Sequence, residues 1–310
     1  METRRLRIIL AALIVTSYVA TFTGAMMMGI RIDVSSFVPI LAFIVAMTVF
    51  LNAYAKWRSL PRLTALGDTI FGGIALVIPV LIATYLAMRA NKPLADETLV
   101  ALDVMVGFNW RAFVDFIDGH PYLATALGVG YQSFTIQLIC IPLLLCVLRQ
   151  EPRAYIFIIS YALIGFVSSI VAIWFPALGT YVVYAVGQDE LKNIHAHFAY
   201  FFLDQFHAVR NDPDFVLSLD GAAGILTFPS VHAAVAYLCA WATWSIRWLR
   251  WPSLCLNLLM ATSAISHANH YFVDVLAAVP ITAFCIVSTC WLARPRREFR
   301  ARQVLGASPA

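Results

Sequence analysis

Runs of about 20 apolar residues recur along this chain of 310 residues, and they constrain its fold more than any other feature. A helix rises about 1.5 Å per residue, so each run is long enough to cross the hydrocarbon core of a bilayer. Lipid offers no partners to backbone N–H and C=O groups, which favours helices that satisfy these groups internally. Charged residues make up only 12% of the chain, against about 25% in soluble domains. The sequence therefore predicts an all-α integral membrane protein.

The apolar runs predict a bundle of about eight transmembrane helices. They span roughly residues 8–30, 34–55, 69–88, 122–147, 154–175, 231–249, 252–267 and 272–293. The first run follows three arginines and is compatible with either a signal peptide or an anchoring helix. Its 23 residues exceed the apolar region of a signal peptide, about 7–15 residues, and this favours the anchoring helix.

Lys and Arg residues fall between the runs in a pattern that predicts the orientation of the bundle. With eight spans and a cytoplasmic N-terminus, 15 of the 21 basic residues lie on the inner side, as the positive-inside rule requires. The outer side holds Arg31, Arg89, Lys92, Arg111, Lys192 and Arg210. Both termini are therefore expected in the cytoplasm. We interpret the net charge of +4 as a topology signal and expect no nucleic-acid partner.

Composition divides the chain into three predicted parts. Residues 1–118 hold the first transmembrane helices and an amphipathic stretch with Trp110 and Phe113 on one side, typical of a helix in the membrane interface. Residues 119–295 form the membrane core, which includes a long polar outer segment at about 176–230. Residues 296–310 form a basic tail that we expect near anionic lipid in the cytoplasm.

The long outer segment ends in a Pro-Ser-Val-His sequence just before the sixth apolar run. Pro229 suits the first turn of a helix, which places Ser230 and His232 at or next to the helix N-terminus. Unpaired backbone N–H groups at that position bind anions such as phosphate, and Ser230 adds a hydroxyl while His232 can transfer a proton. An equally open alternative is that Ser230 only caps the helix and that His232 is an interfacial side chain.

A second polar cluster opens the last apolar run. His270 and Asp274 are four residues apart and therefore share one helix face. A carboxylate beside one imidazole nitrogen fixes the tautomer and leaves the other nitrogen free to attack. The alternative is a structural pair that only satisfies itself. Both clusters fall at the outer ends of their helices under the orientation above, which indicates one shared site.

Other polar residues are weaker candidates for binding. Arg210 precedes the first cluster in the outer segment, where its planar guanidinium can hold a phosphate or contact a lipid head group. His195 and His197 have no third ligand at metal-binding spacing. We therefore predict neither a metal site nor another cofactor.

The two clusters resemble the motifs of a known family. PSVH at 229–232 resembles the PSxH motif of the type 2 phosphatidic acid phosphatase superfamily, and HYFVD at 270–274 resembles its HxxxD motif. The wider sequences, TFPSVHAA and HYFVDVLA, look closest to the branch that includes inositol phosphorylceramide synthases. The resemblance covers roughly residues 120–293.

This resemblance implies a metal-independent enzyme that acts on lipid phosphates. His270 would be the nucleophile and would form a phosphohistidine, and Asp274 would orient it. His232 would protonate the leaving oxygen. Ser230 would bind the phosphoryl oxygens.

Two departures from the superfamily's pattern lower the positive charge expected around a bound phosphate. The basic motif KxxxxxxRP is not found, and Ala264 stands where an arginine usually precedes the second motif. Arg210 and a protonated His267 are the predicted substitutes. A phosphodiester is a monoanion and needs less compensation than a phosphate monoester, so such a site favours a diester.

The predicted function is a membrane phosphotransferase that moves a phosphate-containing head group from a phospholipid to a lipid alcohol. The alternative is a lipid phosphate or lipid diphosphate phosphatase, in which water is the acceptor. A transporter and a non-catalytic lipid-binding protein are disfavoured. A transporter would spread polar residues through the membrane midplane, whereas here they concentrate at one face. We expect the protein in a bacterial inner membrane, with its site facing the periplasm.

Overall fold

The computed structural model describes residues 2–294, and most of this range is helical. In chain order the helices are α1 (Glu2–Met27), α2 (Val34–Trp57), α3 (Pro61–Arg89), α4 (Asp96–Met105), α5 (Trp110–Asp118), α6 (Pro121–Val147), α7 (Glu151–Ala172), α8 (Thr180–Val183), α9 (His197–Tyr200), α10 (Leu203–Asn211), α11 (Val231–Thr243), α12 (Arg250–His267) and α13 (Phe272–Ala293). A 3-10 turn covers Gln188–Glu190, and β1 (Arg31–Ile32) pairs in parallel with β2 (Val216–Leu217). The all-α prediction is confirmed, whereas the predicted tail at 296–310 lies outside the described residues.

Six helices between residues 2 and 294 are long and apolar enough to cross a membrane, namely α1, α2, α3, α6, α7 and α13. The remaining two apolar runs of the sequence form α11 and α12. Helix α11 is apolar but has only 13 residues. Helix α12 has 18 residues, among them Asn257 and three serines, which lower its hydropathy. The prediction of a helical membrane protein is thus confirmed, with six qualifying helices in the described range.

Contacts between distant residues define one end of the bundle. Arg5 donates a hydrogen bond to the carbonyl oxygen of Arg294, so the start of α1 meets the end of α13. Arg7 and Asp68 form an ion pair with 2.7 Å between Nε and Oδ2, and the hydroxyl of Tyr155 donates to the same carboxylate. The starts of α1, α3 and α7 therefore lie close together at this end, which we term the terminal end.

The opposite end, termed the site end, carries the long connections. Arg89 at the end of α3 donates hydrogen bonds to the carbonyl oxygens of Met28, Val209 and Asp212. The β1–β2 pair lies at this end as well, where it joins the α1–α2 turn to the segment before α11. Both polar clusters belong to the site end, because α11 and α13 begin there.

Helix α7 is the centre of the bundle. In an apolar 18-residue stretch of α7, 72% of the residues are buried, against 11% in the corresponding stretch of α2, most of whose surface faces outward. Close packing of α7 on α3 depends on glycine, since an added Cβ at Gly165 would lie 2.4 Å from Cγ1 of Val80. At the second contact, an added Cβ at Gly73 would lie 3.0 Å from Cδ1 of Ile158. The two glycines thus bring the helix backbones together.

Single cysteines at the two ends are expected to report opposite sides of the membrane. In a chain whose six native cysteines are replaced by serine, Ser59→Cys lies in the exposed turn between α2 and α3, and Asp189→Cys lies in the exposed outer segment. A membrane-impermeant maleimide should label Asp189→Cys in intact cells and Ser59→Cys only after the membrane is opened, because the helices between them cross the bilayer. Labelling of both positions in intact cells would contradict this arrangement.

Candidate active site

The N-terminus of α11 carries the first polar cluster. Ser230 is the N-cap residue, and its Oγ accepts a hydrogen bond from the N–H of Ala233 at 3.3 Å. Pro229 precedes this cap and does not lie in the first turn as predicted, because Ser230 takes the capping position. The N–H groups of Val231 and His232 have no hydrogen-bond acceptor within residues 2–294. The helix end is therefore open to an anion.

His270 lies in the short segment between α12 and α13, and its ring faces Asp274. Nδ1 of His270 lies 3.1 Å from Oδ2 of Asp274, which also accepts the N–H of Tyr271 at 3.0 Å. The histidine is 3% exposed and the aspartate is fully buried. Burial lowers the pKa of His270 below its usual value, and the Thr227 carbonyl beside the ring offsets this only in part. A neutral ring keeps one nitrogen unprotonated, as a nucleophile requires.

The starts of α11 and α13 are joined through their backbones. The N–H of Ser230 donates to the carbonyl oxygen of Asp274 at 3.3 Å. Further along, the hydroxyl of Thr282 donates to the carbonyl oxygen of Ala234 at 3.0 Å. These contacts hold the two sequence clusters side by side at the site end, which is the arrangement that the sequence predicts.

The His232 ring lies between two aromatic side chains of α6. Its centroid is 4.5 Å from that of Tyr131, with an interplanar angle of 11°, and 4.5 Å from that of Phe134. Aromatic packing against α6 thus fixes the position of the His232 ring at the start of α11.

Arg210 and His267 are held by contacts outside this group. Nη2 of Arg210 donates to the carbonyl oxygen of Lys92 at 2.8 Å, and the guanidinium lies over the ring of Phe206. Its Nη1 has no hydrogen-bond partner in the described part of the chain. His267 ends α12, where its Nδ1 lies 3.0 Å from the hydroxyl oxygen of Ser266. Phosphate binding by either side chain remains a prediction.

Two aspartates of α4 hold the start of α13, and the sequence analysis missed both. The carboxylate of Asp103 accepts the N–H groups of Phe272 at 3.0 Å and Val273 at 2.8 Å. Burial raises the pKa of Asp103, and these two N–H groups oppose the rise. Asp96 accepts the hydroxyl of Tyr271 at 2.7 Å. Together the two carboxylates fix the three residues that follow the buried histidine.

The backbone around Gly179 packs closely against Asn269 and supports the segment that contains His270. Asp96 also accepts the N–H groups of Leu178 and Gly179, at 3.1 and 2.8 Å. Gly179 has a φ of +93°, and an added Cβ would lie 2.3 Å from the carbonyl oxygen of Asn269. The amide Nδ2 of Asn269 donates to the hydroxyl of Thr227 at 3.1 Å. Only glycine fits here, because both the conformation and the space exclude a side chain.

The stretch predicted to lie in the membrane interface differs from that expectation. It forms two helices, α4 and α5, with a break at Gly107, where φ is +77°. Trp110 is fully buried, its indole N–H donates to the carbonyl oxygen of Ile265 at 3.1 Å, and its ring packs on Tyr181. The tryptophan is therefore a packing residue that anchors α5 to α12, because its N–H finds a partner inside the protein.

The fold and the site together define a membrane helical protein with two histidines and a carboxylate at one end of the bundle. Residues 97–288, more than half of the chain, match the sequence model of the PAP2 superfamily. The chain belongs to this superfamily, whose members are generally lipid phosphatases or phosphotransferases. Comparisons with curated proteins and with solved structures found no match. The matched range includes both polar clusters and Asp103, begins one residue after Asp96, and leaves α1, α2 and α3 outside.

Replacing Asp103 should destabilise the protein measurably. Asp103→Ala leaves the N–H groups of Phe272 and Val273 without an acceptor in a buried place, which costs about 1–3 kcal/mol of unfolding free energy. Glu97→Ala on the same helix is the matched control, because Glu97 is exposed, and its effect should stay within about 0.5 kcal/mol. Unfolding in detergent, followed by circular dichroism, measures both. Equal stability of the two variants would refute the role of Asp103.

Proposed function

We propose that this protein is a membrane phosphotransferase that moves a phosphate-containing head group between lipids through a phosphohistidine at His270. The observation that carries the proposal is the open helix N-terminus at Val231 and His232, which lies beside the buried His270–Asp274 pair. Membership of the PAP2 superfamily supports chemistry on lipid phosphates. The likeness to inositol phosphorylceramide synthases is part of the proposal.

In the first step, Nε2 of His270 attacks the phosphorus atom of a phospholipid. A P–N bond forms as the P–O bond to the lipid alcohol breaks, so the phosphorylated head group stays on the histidine. Asp274 accepts the Nδ1–H and stabilises the positive charge that develops on the ring. His232 donates a proton to the departing oxygen, which leaves as a lipid alcohol.

Groups at the start of α11 stabilise the negative charge on phosphorus. The unpaired N–H groups of Val231 and His232 and the hydroxyl of Ser230 bind the non-bridging oxygens. Arg210 is proposed to contribute its unpaired Nη1, and His267 a further contact to the phosphoryl oxygens.

The second step returns the enzyme to its starting state. A lipid alcohol attacks the phosphorus, His232 takes the alcohol's proton, and the P–N bond to His270 breaks. The product is a new phosphodiester lipid. If water is the attacker, the same step is hydrolysis. Neither a metal nor another cofactor takes part in the proposed reaction.

A low positive charge around the site favours a diester donor. Within residues 2–294, no Lys or Arg side chain forms a hydrogen bond or ion pair with Ser230, His232, His270 or Asp274. A phosphate monoester approaches a dianion at neutral pH, whereas a phosphodiester carries one charge. Phosphoryl transfer depends on compensation of that charge, so a site with few cations suits the diester.

We also propose that α11 and α12 cross the membrane, which gives eight spans with both termini in the cytoplasm. The excess of Lys and Arg at the terminal end supports this orientation. In a bacterial inner membrane the site end then faces the periplasm, and the lipid substrates reach it from the outer leaflet.

Head-group transfer can be separated from phosphate release with two substrate sets. Purified protein is given either lipid mono- and diphosphates, read as free phosphate, or phospholipid donors with ceramide or diacylglycerol acceptors, read by lipid mass spectrometry. The proposal predicts a new head-group lipid that is lost by at least about 10³-fold in His270→Ala, because the nucleophile is gone. His207→Ala is the matched control, since His207 is exposed and distant in sequence from both clusters.

The other outcomes of this assay assign the protein to different classes. Release of phosphate that depends on His270, without head-group transfer, would make the protein a phosphatase and overturn the diester argument. Transfer that persists in His270→Ala would overturn the phosphohistidine. Absence of both activities with every donor would favour a non-catalytic lipid-binding protein.

The proton-donor role of His232 predicts a dependence on the leaving group. His232→Ala should lower turnover of a phospholipid donor by about 10²–10⁴-fold, because an alkoxide needs a proton to leave. A p-nitrophenyl phosphodiester releases a stable phenolate, so its turnover by the same variant should fall far less. Equal losses with the two donors would contradict the proton transfer and would favour a packing role for the ring against Tyr131 and Phe134.

A further inference from the structure

A groove runs between α1 and α2 in the part of the chain that precedes the superfamily match at residue 97. Both helices pack on α3 but have little contact with each other. The space between them is a cavity of about 350 Å³. This volume falls within the range of about 300–1,000 Å³ that is usual for sites of small ligands.

The walls of the groove are apolar along most of its length. Ile14 on α1, Ile44 on α2 and Phe71 on α3 line it, whereas Ala11 and Gly72 keep it open by their small size. An added Cβ at Gly72 would lie 3.2 Å from Leu10, so this glycine sets the close approach of α1 to α3. The dimensions and the lining suit a flexible hydrocarbon chain.

One end of the groove is polar. Arg7, Asn52 and Asp68 line it there, and they are bonded to one another, with Nη2 of Arg7 2.6 Å from Oδ1 of Asn52. The carboxylate of Asp68 accepts hydrogen bonds from Nε and Nη2 of Arg7, from Nδ2 of Asn52 and from the hydroxyl of Tyr155. The Arg7 side chain is 43% exposed, so its guanidinium remains accessible at the mouth of the groove.

This polar end belongs to the membrane surface opposite the active site. Asp68 lies near the start of α3, and Arg89 at its other end contacts the segment before α11. The two residues are 21 positions apart, which corresponds to about 31 Å along the helix, close to the thickness of the hydrocarbon core. A lipid in the groove would therefore come from the leaflet opposite that of the lipid substrate.

The charge of the residues around the polar end of the groove determines which kind of lipid head group binds there. The helix ends around it carry six basic residues, namely Arg4, Arg5, Arg7, Lys56, Arg58 and Arg62. Two of them pair with carboxylates, Arg7 with Asp68 and Arg62 with Glu151, which leaves a positive surplus at this end. The surplus of positive charge attracts an anionic head group.

We infer that the groove between α1, α2 and α3 binds an anionic phospholipid of the opposite leaflet, with one acyl chain in the apolar cavity and the head-group phosphate at Arg7. Val45 and Val49, 60% and 62% exposed, border the groove on α2 and leave it open sideways to the bilayer. The lipid enters laterally and fills the space that the two outer helices leave uncovered. This binding site does not depend on the proposed catalytic reaction.

A photoreactive lipid tests the inference on the full chain. Phosphatidylglycerol with a diazirine in one acyl chain is crosslinked to protein in nanodiscs, and labelled peptides are identified by mass spectrometry. We expect label in the peptides of α1, α2 and α3, and competition by unlabelled phosphatidylglycerol at least about tenfold stronger than by phosphatidylcholine. Label in α11 and α13 reports the catalytic end in the same sample and shows that each variant is folded.

Two neighbouring alanines give a matched pair of variants. Ala11 and Ala12 are both exposed, but only Ala11 lines the groove. Ala11→Phe should reduce the groove label by at least about tenfold, because the ring occupies the cavity, whereas Ala12→Phe should leave it unchanged. Equal labelling in the two variants would overturn the inference.

A second matched pair of variants tests the contact between the head group and Arg7. Arg7→Gln should abolish the preference for phosphatidylglycerol over phosphatidylcholine, whereas Arg31→Gln, which removes the same charge on β1 at the site end, should retain it. Equal competition by the two lipids in the unmodified protein would overturn the assignment of an anionic head group.

Discussion

The first backbone N–H groups at the start of α13 lie inside the protein, so the protein must supply an acceptor for each of them. Carboxylates are these acceptors. The N–H of Tyr271 is bound by Asp274, and those of Phe272 and Val273 are bound by Asp103. A buried N–H without an acceptor costs about 1–3 kcal/mol, so these bonds determine where the helix can start. The position of His270 follows from them, because the histidine directly precedes the first of these residues.

Helix α11 begins beside α13, but the N–H groups at its N-terminus are paired differently. Its cap, Ser230, serves the N–H of Ala233, and its own N–H is bound to the carbonyl oxygen of Asp274. The N–H groups of Val231 and His232 remain without an acceptor in the described part of the chain. The N–H groups at the start of α13 are thus paired with protein carboxylates, whereas two N–H groups at the start of α11 are left for a ligand. This contrast is the physical basis of the proposal that an anion binds at α11 and that His270 acts as the nucleophile beside it.

The sequence predicts well where the helices form and at which end of the bundle the polar residues lie. Each of the eight apolar runs forms a helix within residues 2–294, because hydrocarbon favours a helix for such a segment, and six of these helices are long and apolar enough to cross a membrane. The placement of Ser230, His232, His270 and Asp274 at one end also follows from the order of the runs. Each pair of residues lies next to a helix start, and the helices alternate in direction.

The supporting contacts could not be predicted with the same certainty. Asp96 and Asp103 are seven residues apart and share one face of α4, which is the available signal that they act together. The amphipathic pattern of that stretch instead suggests a helix on the membrane surface, and no local rule indicates that its acidic face meets α13. The contacts of Arg210 depend in the same way on tertiary packing, which brings it to the Lys92 carbonyl and the Phe206 ring.

The central claim is that His270 carries the head group between two lipids. Purified protein can be incubated with a phospholipid donor in the absence of an acceptor, digested at alkaline pH, and analysed by mass spectrometry of the peptide that contains His270. The account predicts an acid-labile phosphorylated head group on the His270 ring, released lipid alcohol in equal amount, and no adduct in His270→Asn. Head-group transfer by a protein that forms no such adduct, or an adduct on another residue, would contradict it.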